Sequence, residues 1–363
     1  MAPQDPWHFT RTALAEQVIG MFDTGLSSAL TFFAPRRMGK TEFLRKDITP
    51  VAEAHGWHVF YFSFLDADSE AAAVFVDALT AFSRGESWLA RTSNKLFGRV
   101  SKVSGGAGGV QAGIEFRPGA QEDIKAVIHR LATEHRKVLL LLDEVQALAK
   151  PIHTSLVAAL RTALDMHKDQ VKVIFTGSSR EGLRRMFSQA SAPFFHFGQN
   201  LPFPQMERAF TDHLATVFKR ITRRPLDKDA LWLAFVEMGH VPQLCRALVE
   251  RMTLNQGLTL EKAQQALMQE VHQGRDYAQD WERCSALEHL LLLLIADGGV
   301  ELYSASVREQ LAHRLGVPDM AVSSVQSALR SLSRRGRVFK AEASPEYEIE
   351  DPVFREWLGT ERG

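Results

Sequence analysis

The stretch that most constrains this chain is Ala29-Leu-Thr-Phe-Phe-Ala-Pro-Arg-Arg-Met-Gly-Lys-Thr-Glu-Phe-Leu44. An apolar β-type run from Ala29 to Phe33 enters a tight turn. Gly39-Lys40-Thr41 then opens a helix that continues through Phe43 and Leu44. A strand, a Gly-bearing loop and a helix start are the context in which a chain cradles phosphate. Backbone N–H groups at the helix start point at the anion, and the helix dipole favours its charge. The segment therefore nominates Pro35, Arg36, Arg37, Met38, Gly39, Lys40, Thr41 and Glu42 as nucleotide contacts. Lys40 is expected to reach the β- and γ-phosphates as a point charge, and the Thr41 hydroxyl to ligate Mg²⁺. Gly39 is expected because a Cβ there would crowd the approach of backbone to phosphate. One position departs from G-x-x-x-x-G-K-[ST]: Ala34 stands where the first Gly belongs.

A second motif completes the first. Lys137-Val-Leu-Leu-Leu-Leu-Asp-Glu-Val-Gln146 reads as a buried central strand ending in two carboxylates. The C-terminal edge of such a strand is where an α/β sheet places its ligand. Asp143 is expected to hold Mg²⁺ through water, and Glu144 to polarise the attacking water. An aliphatic strand ending in Asp-Glu is common alone; beside Gly39-Lys40-Thr41 it supplies what the loop lacks. A third buried strand, Val171-Lys-Val-Ile-Phe-Thr-Gly-Ser-Ser-Arg180, ends in polar residues. Thr176, Ser178 and Ser179 are placed to contact the water or the γ-phosphate, and Arg180 to offset its charge. Together these motifs imply ATP and Mg²⁺.

The 363 residues suffice for two or three domains, and 45% hydrophobic with 24% charged residues is an ordinary globular balance. A net charge of +0 excludes a global pull toward nucleic acid or membrane, so any basic surface is local. Cys245 and Cys284 lie in no metal-ligand spacing and read as buried free thiols of a reducing compartment. Met-Ala-Pro-Gln-Asp-Pro lacks the pattern of a signal peptide, and the apolar run from Leu290 to Ala296 is too short to span a bilayer. These point to the cytoplasm and to no membrane partner.

The remaining chain reads in order. Phe9 to Phe22 has helical periodicity, and Trp57 to Phe64 reads as a strand buried on both faces. The glycine cluster Gly105–Gly109 lies between two short β-type runs and suggests a hairpin insert at about 100–118. Pro202-Phe-Pro204 closes the α/β region, giving a first domain over 1–204. Helices over Met206–Ile221, Lys228–Met238, Pro242–Leu254 and Leu260–Glu282 form an all-α lid over 205–283. From 284 to 363 the order is helix, helix, turn, helix, hairpin, which reads as a winged helix-turn-helix. Its third helix runs from about Met320 to Arg335, with Val322, Val325, Leu329 and Leu332 on the buried face.

With these parts placed, the chain resembles the archaeal-type P-loop ATPases, relatives of the AAA+ and STAND NTPases with a C-terminal winged helix. Phe9-Thr-Arg11 stands where that family has Phe-x-x-Arg. Ala34-Pro-Arg-Arg-Met-Gly-Lys-Thr41 is similar to its Gly-Pro-Arg-Arg-x-Gly-Lys-Thr, and Leu142-Asp-Glu-Val-Gln146 to its Asp-Glu-Phe-Gln strand end. Gly177-Ser-Ser179 is similar to its sensor turn. Pro193-Phe-Phe195, Leu201-Pro-Phe203 and Asp351-Pro-Val-Phe-Arg-Glu-Trp-Leu358 match further segments. The resemblance implies a parallel sheet of order 5-1-4-3-2, ATP hydrolysis with Glu144 as base and Ser178 in the sensor turn. It also implies Arg180 near the γ-phosphate and a helical lid over the nucleotide. Gly239-His-Val-Pro-Gln243 departs from the Gly-Asn-Pro-Arg of many relatives, leaving Arg246, one turn later, as the substitute second-sensor cation.

Two functions fit. One is a nucleotide-dependent ATPase switch that grips double-stranded DNA through Arg330, Arg334, Arg335, Arg337 and Lys340 of the winged helix. The other is a signalling ATPase whose winged helix binds a protein partner or its own lid.

Overall fold

The computed structural model describes residues 5–64, 71–85, 120–183, 186–187, 192–273, 277–298, 301–340 and 347–360. The hairpin expected at about 100–118 lies outside them.

Five short runs pair into one parallel sheet: β1 Ala29–Phe33, β2 His58–Ser63, β3 Val138–Asp143, β4 Val171–Gly177 and β5 Gln199–Pro202. Their order across the sheet is β2-β3-β4-β1-β5, the expected 5-1-4-3-2 arrangement of a P-loop NTPase. The aliphatic runs are continuous because both faces are covered. Leu139 and Leu141 of β3 join Leu30, Phe32 and Ile174 in a core shared with helix Thr12–Asp23 and the helix after the loop. Val138, Leu140 and Leu142 point the other way, into a core with helices Ala71–Ser83, Ala120–Glu134 and Thr154–Met166. Each such fully buried Leu or Phe contributes about 1.5–3 kcal/mol of transfer free energy.

One strand differs from its sequence reading, and another had none. β2 is not buried on both faces: it lies at the sheet edge, where Phe60 and Phe62 are buried and His58, Val59, Tyr61 and Ser63 are only partly covered. β5 is the opposite edge, with the polar sequence Gln199-Asn-Leu-Pro202, too polar and short to be recognised as a strand from pattern. It is held by its ladder to β1 rather than by burial.

The helix after the loop begins as Lys40–Glu42, widens into a π-helical Phe43–Ile48 and ends as Thr49–Ala54. Beyond the sheet come helices Arg208–Thr222, Lys228–Glu237, Pro242–Leu254 and Leu260–Gln273. Asp227 caps the second, accepting from the N–H groups of Asp229 (2.8 Å) and Ala230 (3.1 Å). Of the helix expected over Leu260–Glu282, the described residues form Leu260–Gln273 and Tyr277–Glu282.

The C-terminal unit comprises helices Ala286–Asp297, Ala305–Leu315 and Val322–Arg334, then antiparallel β6 Val338–Lys340 and β7 Tyr347–Ile349, then helix Pro352–Thr360. Val325, Leu329 and Leu332 are buried as expected, but Val322 is 38% exposed. It sits at the first helical position, before the buried face is engaged. The Tyr277 hydroxyl donates to Asp351 Oδ2 at 2.9 Å, and its ring lies 5.2 Å from Phe354. The C-terminal unit thus packs on the preceding helix. Among the described residues no helix is long and apolar enough to cross a membrane.

Candidate nucleotide site

The loop between β1 and its helix is shaped by two left-handed residues, Arg37 (φ 70°) and Gly39 (φ 85°). A Cβ built on Gly39 meets no protein atom within 4 Å. Among protein atoms, then, it is the positive φ rather than crowding that asks for glycine here. Lys40 is buried, and its Nζ folds back to donate to Ala34 O (2.6 Å) and Pro35 O (2.9 Å). Burial pushes its pKa below the ordinary lysine value, Glu144 and Asp143 pull it back up, and Arg36 pushes it down. Ala34 is buried with its carbonyl toward Lys40, so the methyl replacing the first Gly is absorbed by the core.

Not every nominated loop side chain faces the same way. Met38 is buried in the core, which leaves only its backbone to the loop. Glu42 turns to Lys46 and lies 3.9 Å from His8. Arg36 is exposed, and the Arg37 carbonyl accepts from Gln243 N at 3.4 Å, which ties the loop to helix Pro242–Leu254.

Parallel pairing brings the ends of β2, β3 and β4 together beside Lys40. Asp143 is 1% exposed and gathers three hydroxyls. Thr41 donates to Oδ2 at 2.5 Å, Tyr61 to Oδ2 at 3.1 Å and Thr176 to Oδ1, while the Glu144 N–H donates to Oδ1 at 3.0 Å. Tyr61 was missed in the sequence; the available signal was a lone phenol between Phe60 and Phe62. Burial, followed by Asp143, pushes its pKa well up, so it remains a donor. Thr176, expected near water or phosphate, donates to Asp143.

Glu144 has φ 55° and ψ 42°, a left-handed conformation costly for a residue with a Cβ. Its Oε2 accepts from Ser178 Oγ at 2.6 Å and from Gln146 Nε2. Ser179 Oγ instead accepts from Gly182 N at 3.2 Å, capping the short helix Arg180–Leu183. Arg180 opens that helix; its side chain lies outside the described residues. The donor set fits a hard divalent cation: a hydroxyl and a carboxylate already in contact offer oxygen ligands of the kind Mg²⁺ takes. A buried lysine whose hydrogen-bond partners are neutral carbonyls likewise suits an incoming anion.

The N-terminal segment and the segment after β5 meet beside this loop. Arg11 lies 4.4 Å over the Phe203 ring and donates to Pro204 O at 3.1 Å, while Phe203 packs edge-on against Phe32 and Phe43. Arg246 Nη2 lies 3.2 Å from Asp5 Oδ2, which also pairs with Lys46 at 3.1 Å. It is therefore paired with the N-terminal segment.

The family model for an ATPase domain predominantly from Archaea matches residues 9–193, just over half of the chain. The chain belongs to this family. This archaeal-type ATPase is thus an ATP-hydrolysing enzyme by family, and its sheet order agrees with that membership. No curated protein matches the sequence. Among solved structures it is similar to a Walker-type ATPase of Pyrococcus abyssi, at 15% identity and TM-score 0.63, covering 97% of this chain and 96% of that one. It is also similar to the ORC2 protein of Aeropyrum pernix in its ADP form, at 17% identity and TM-score 0.54, covering 96% and 92%. At these identities the likeness is one of fold.

The five C-terminal cations do not form one free patch. Arg335 pairs with Glu288, and its Nη1 donates to Cys284 Sγ at 3.6 Å. Arg337 pairs with Asp280 and lies 5.7 Å over the Phe354 ring. Arg330, Arg334 and Lys340 are exposed.

Proposed function

We propose that this ATPase is a nucleotide-dependent switch whose C-terminal unit, a winged helix over 284–363, acts while docked on a helical lid over 205–283. The ATPase domain spans 1–204, and the working compartment is the cytoplasm. The observation that carries the reading is the meeting of Lys40, Thr41, Asp143 and Glu144 at one end of the sheet. Lys40 would bind the β- and γ-phosphates, with loop N–H groups of Pro35–Thr41 apart from proline around them. Thr41 and Asp143 would hold Mg²⁺, directly and through water. When bound, Mg²⁺ neutralises charge that develops on the phosphate oxygens.

Glu144 orients water and takes its proton as the water oxygen bonds to the γ-phosphorus. The bond to the β-phosphate oxygen breaks, and ADP and phosphate leave. Arg180 would stand near the γ-phosphate. Glu144→Gln keeps the shape and removes the base. ATP then stays bound while turnover falls by roughly two or more orders of magnitude. Unchanged turnover in Glu144→Gln would overturn the assignment.

The docked reading of the winged helix rests on the Arg337–Asp280 pair and on Tyr277 against Asp351. Binding of double-stranded DNA is the second reading. It is supported by exposed Arg330, Arg334 and Lys340 near the end of helix Val322–Arg334, with Ser323, Ser324, Gln326 and Ser327 exposed near its start.

A further inference from the structure

We infer that Gln146 is the positioning residue that, together with Ser178, fixes the working rotamer of Glu144; this rests on Glu144 being the base. Gln146 Nε2 donates to Glu144 Oε2 and, at 3.2 Å, to Ser178 Oγ, while Ser178 Oγ donates to the same Oε2 at 2.6 Å. One carboxylate oxygen is therefore engaged by two mutually bonded donors, and the carboxylate is held at a single point. The rest of the group is left to meet water.

Three further observations show that the fold is built around this amide. Gly177 and Gly182 leave bare backbone where Gln146 lies. A Cβ at Gly177 would stand 2.6 Å from Gln146 Oε1 and 2.8 Å from Leu183 Cδ2, and one at Gly182 would stand 2.6 Å from Gln146 Cβ. Neither glycine has a positive φ, so space and not backbone conformation requires them. Gln146 Oε1 is buried with no hydrogen-bond partner. Flipping the amide would turn that oxygen toward the Glu144 carboxylate, so the orphaned acceptor is the cost of aiming Nε2 at Glu144. Finally, the left-handed backbone of Glu144 needs surrounding groups to hold it, and the Gln146–Ser178 pair is the hydrogen-bonded holder of its side chain.

The test compares Gln146→Met, Ser178→Ala, the double variant and Glu144→Gln, with ATP affinity, KM for ATP, kcat and melting temperature measured for each. Methionine keeps the length and flexibility of the side chain and removes its donors. The expected result for Gln146→Met is native-like melting and ATP affinity, unchanged KM, and kcat lower by about tenfold or more. The double variant should lose less than the product of the two single losses, because both donors serve one oxygen. An unchanged kcat in Gln146→Met, or losses that multiply fully, overturns the proposal. If Gln146→Met does not fold, Ser178→Ala and Gln146→Asn decide: a shorter amide that cannot reach Oε2 must lower kcat at unchanged KM, and equal turnover overturns the proposal. A Glu144→Gln variant with full turnover overturns the base assignment itself, so the two failures are told apart.

Discussion

Thr41 Oγ1 and Asp143 Oδ2 meet at 2.5 Å, joining the first turn after the loop to the end of β3. The two residues are 102 positions apart in the chain, and only the parallel sheet brings them together. Lys40 lies in the same corner, held by the carbonyls of Ala34 and Pro35.

Lys40→Ala should abolish Mg-ATP binding, because no other cation of the loop is buried at the helix start. Loss of the ATP-induced thermal shift is the expected reading. Thr41→Ala should instead weaken the effect of Mg²⁺ on that shift more than the effect of ATP alone. Equal shifts in wild type and Lys40→Ala would place the nucleotide elsewhere.

Gly39→Ala separates two reasons for the glycine. The φ of 85° costs a non-glycine residue about 1–2 kcal/mol in the empty protein. Crowding of phosphate would appear only in the complex. A modest fall in melting temperature with a larger fall in ATP affinity is expected. A fall in melting temperature alone would mean that only the backbone conformation matters.

These tests bear on how much of the site was legible in the sequence. β1, β3 and β4 could be read because burial on both faces forces unbroken aliphatic runs, and Lys40, Thr41, Asp143 and Glu144 followed from their places at the ends of those runs. β5 was invisible because its residues are polar and its strand state comes from pairing with β1. Tyr61 and Gln146 escaped because their roles depend on rotamers and on register across strands, which spacing does not encode. The cations Arg335 and Arg337 read as a basic run because their partners, Glu288 and Asp280, lie 47 and 57 positions earlier in sequence. That distance hides the pairing from any local charge pattern.

His153 gives a pH prediction. It is 1% exposed, and neither ring nitrogen has a hydrogen-bond partner. Burial, followed by Lys150, pushes its pKa below the ordinary 6.5. The unfolded chain therefore binds a proton at a higher pH than the folded one. Stability is full above about 6.5 and falls as pH drops through the lowered folded value. His58 and His272, lowered first by burial, act in the same direction. Melting temperature should fall from pH 7 to pH 5, and His153→Leu should flatten part of that slope. An identical slope in the variant would remove His153 as a contributor.

The last prediction concerns the C-terminal unit proposed as a winged helix. Glu288 closes the capping box of helix Ala286–Asp297 with Ser285, and it also receives Arg335. Burial works against its charge, but the Ser285 N–H, Ser331 and Arg335 hold its pKa below the ordinary value. An arginine tied to such a carboxylate has less freedom to grip a phosphate than Arg330 or Arg334. If the unit contacts duplex DNA, phosphates would be gripped by Arg330, Arg334 and Lys340, with weak, sequence-tolerant and steeply salt-dependent binding. Arg334→Ala with Lys340→Ala should then lower affinity on every sequence alike and flatten the salt slope by about 2. Arg335→Ala should chiefly destabilise the docked unit, seen as earlier melting, and leave the slope nearly unchanged. The absence of duplex binding at low salt, with ATP or with ADP, would leave the docked, partner-facing switch as the function of this unit.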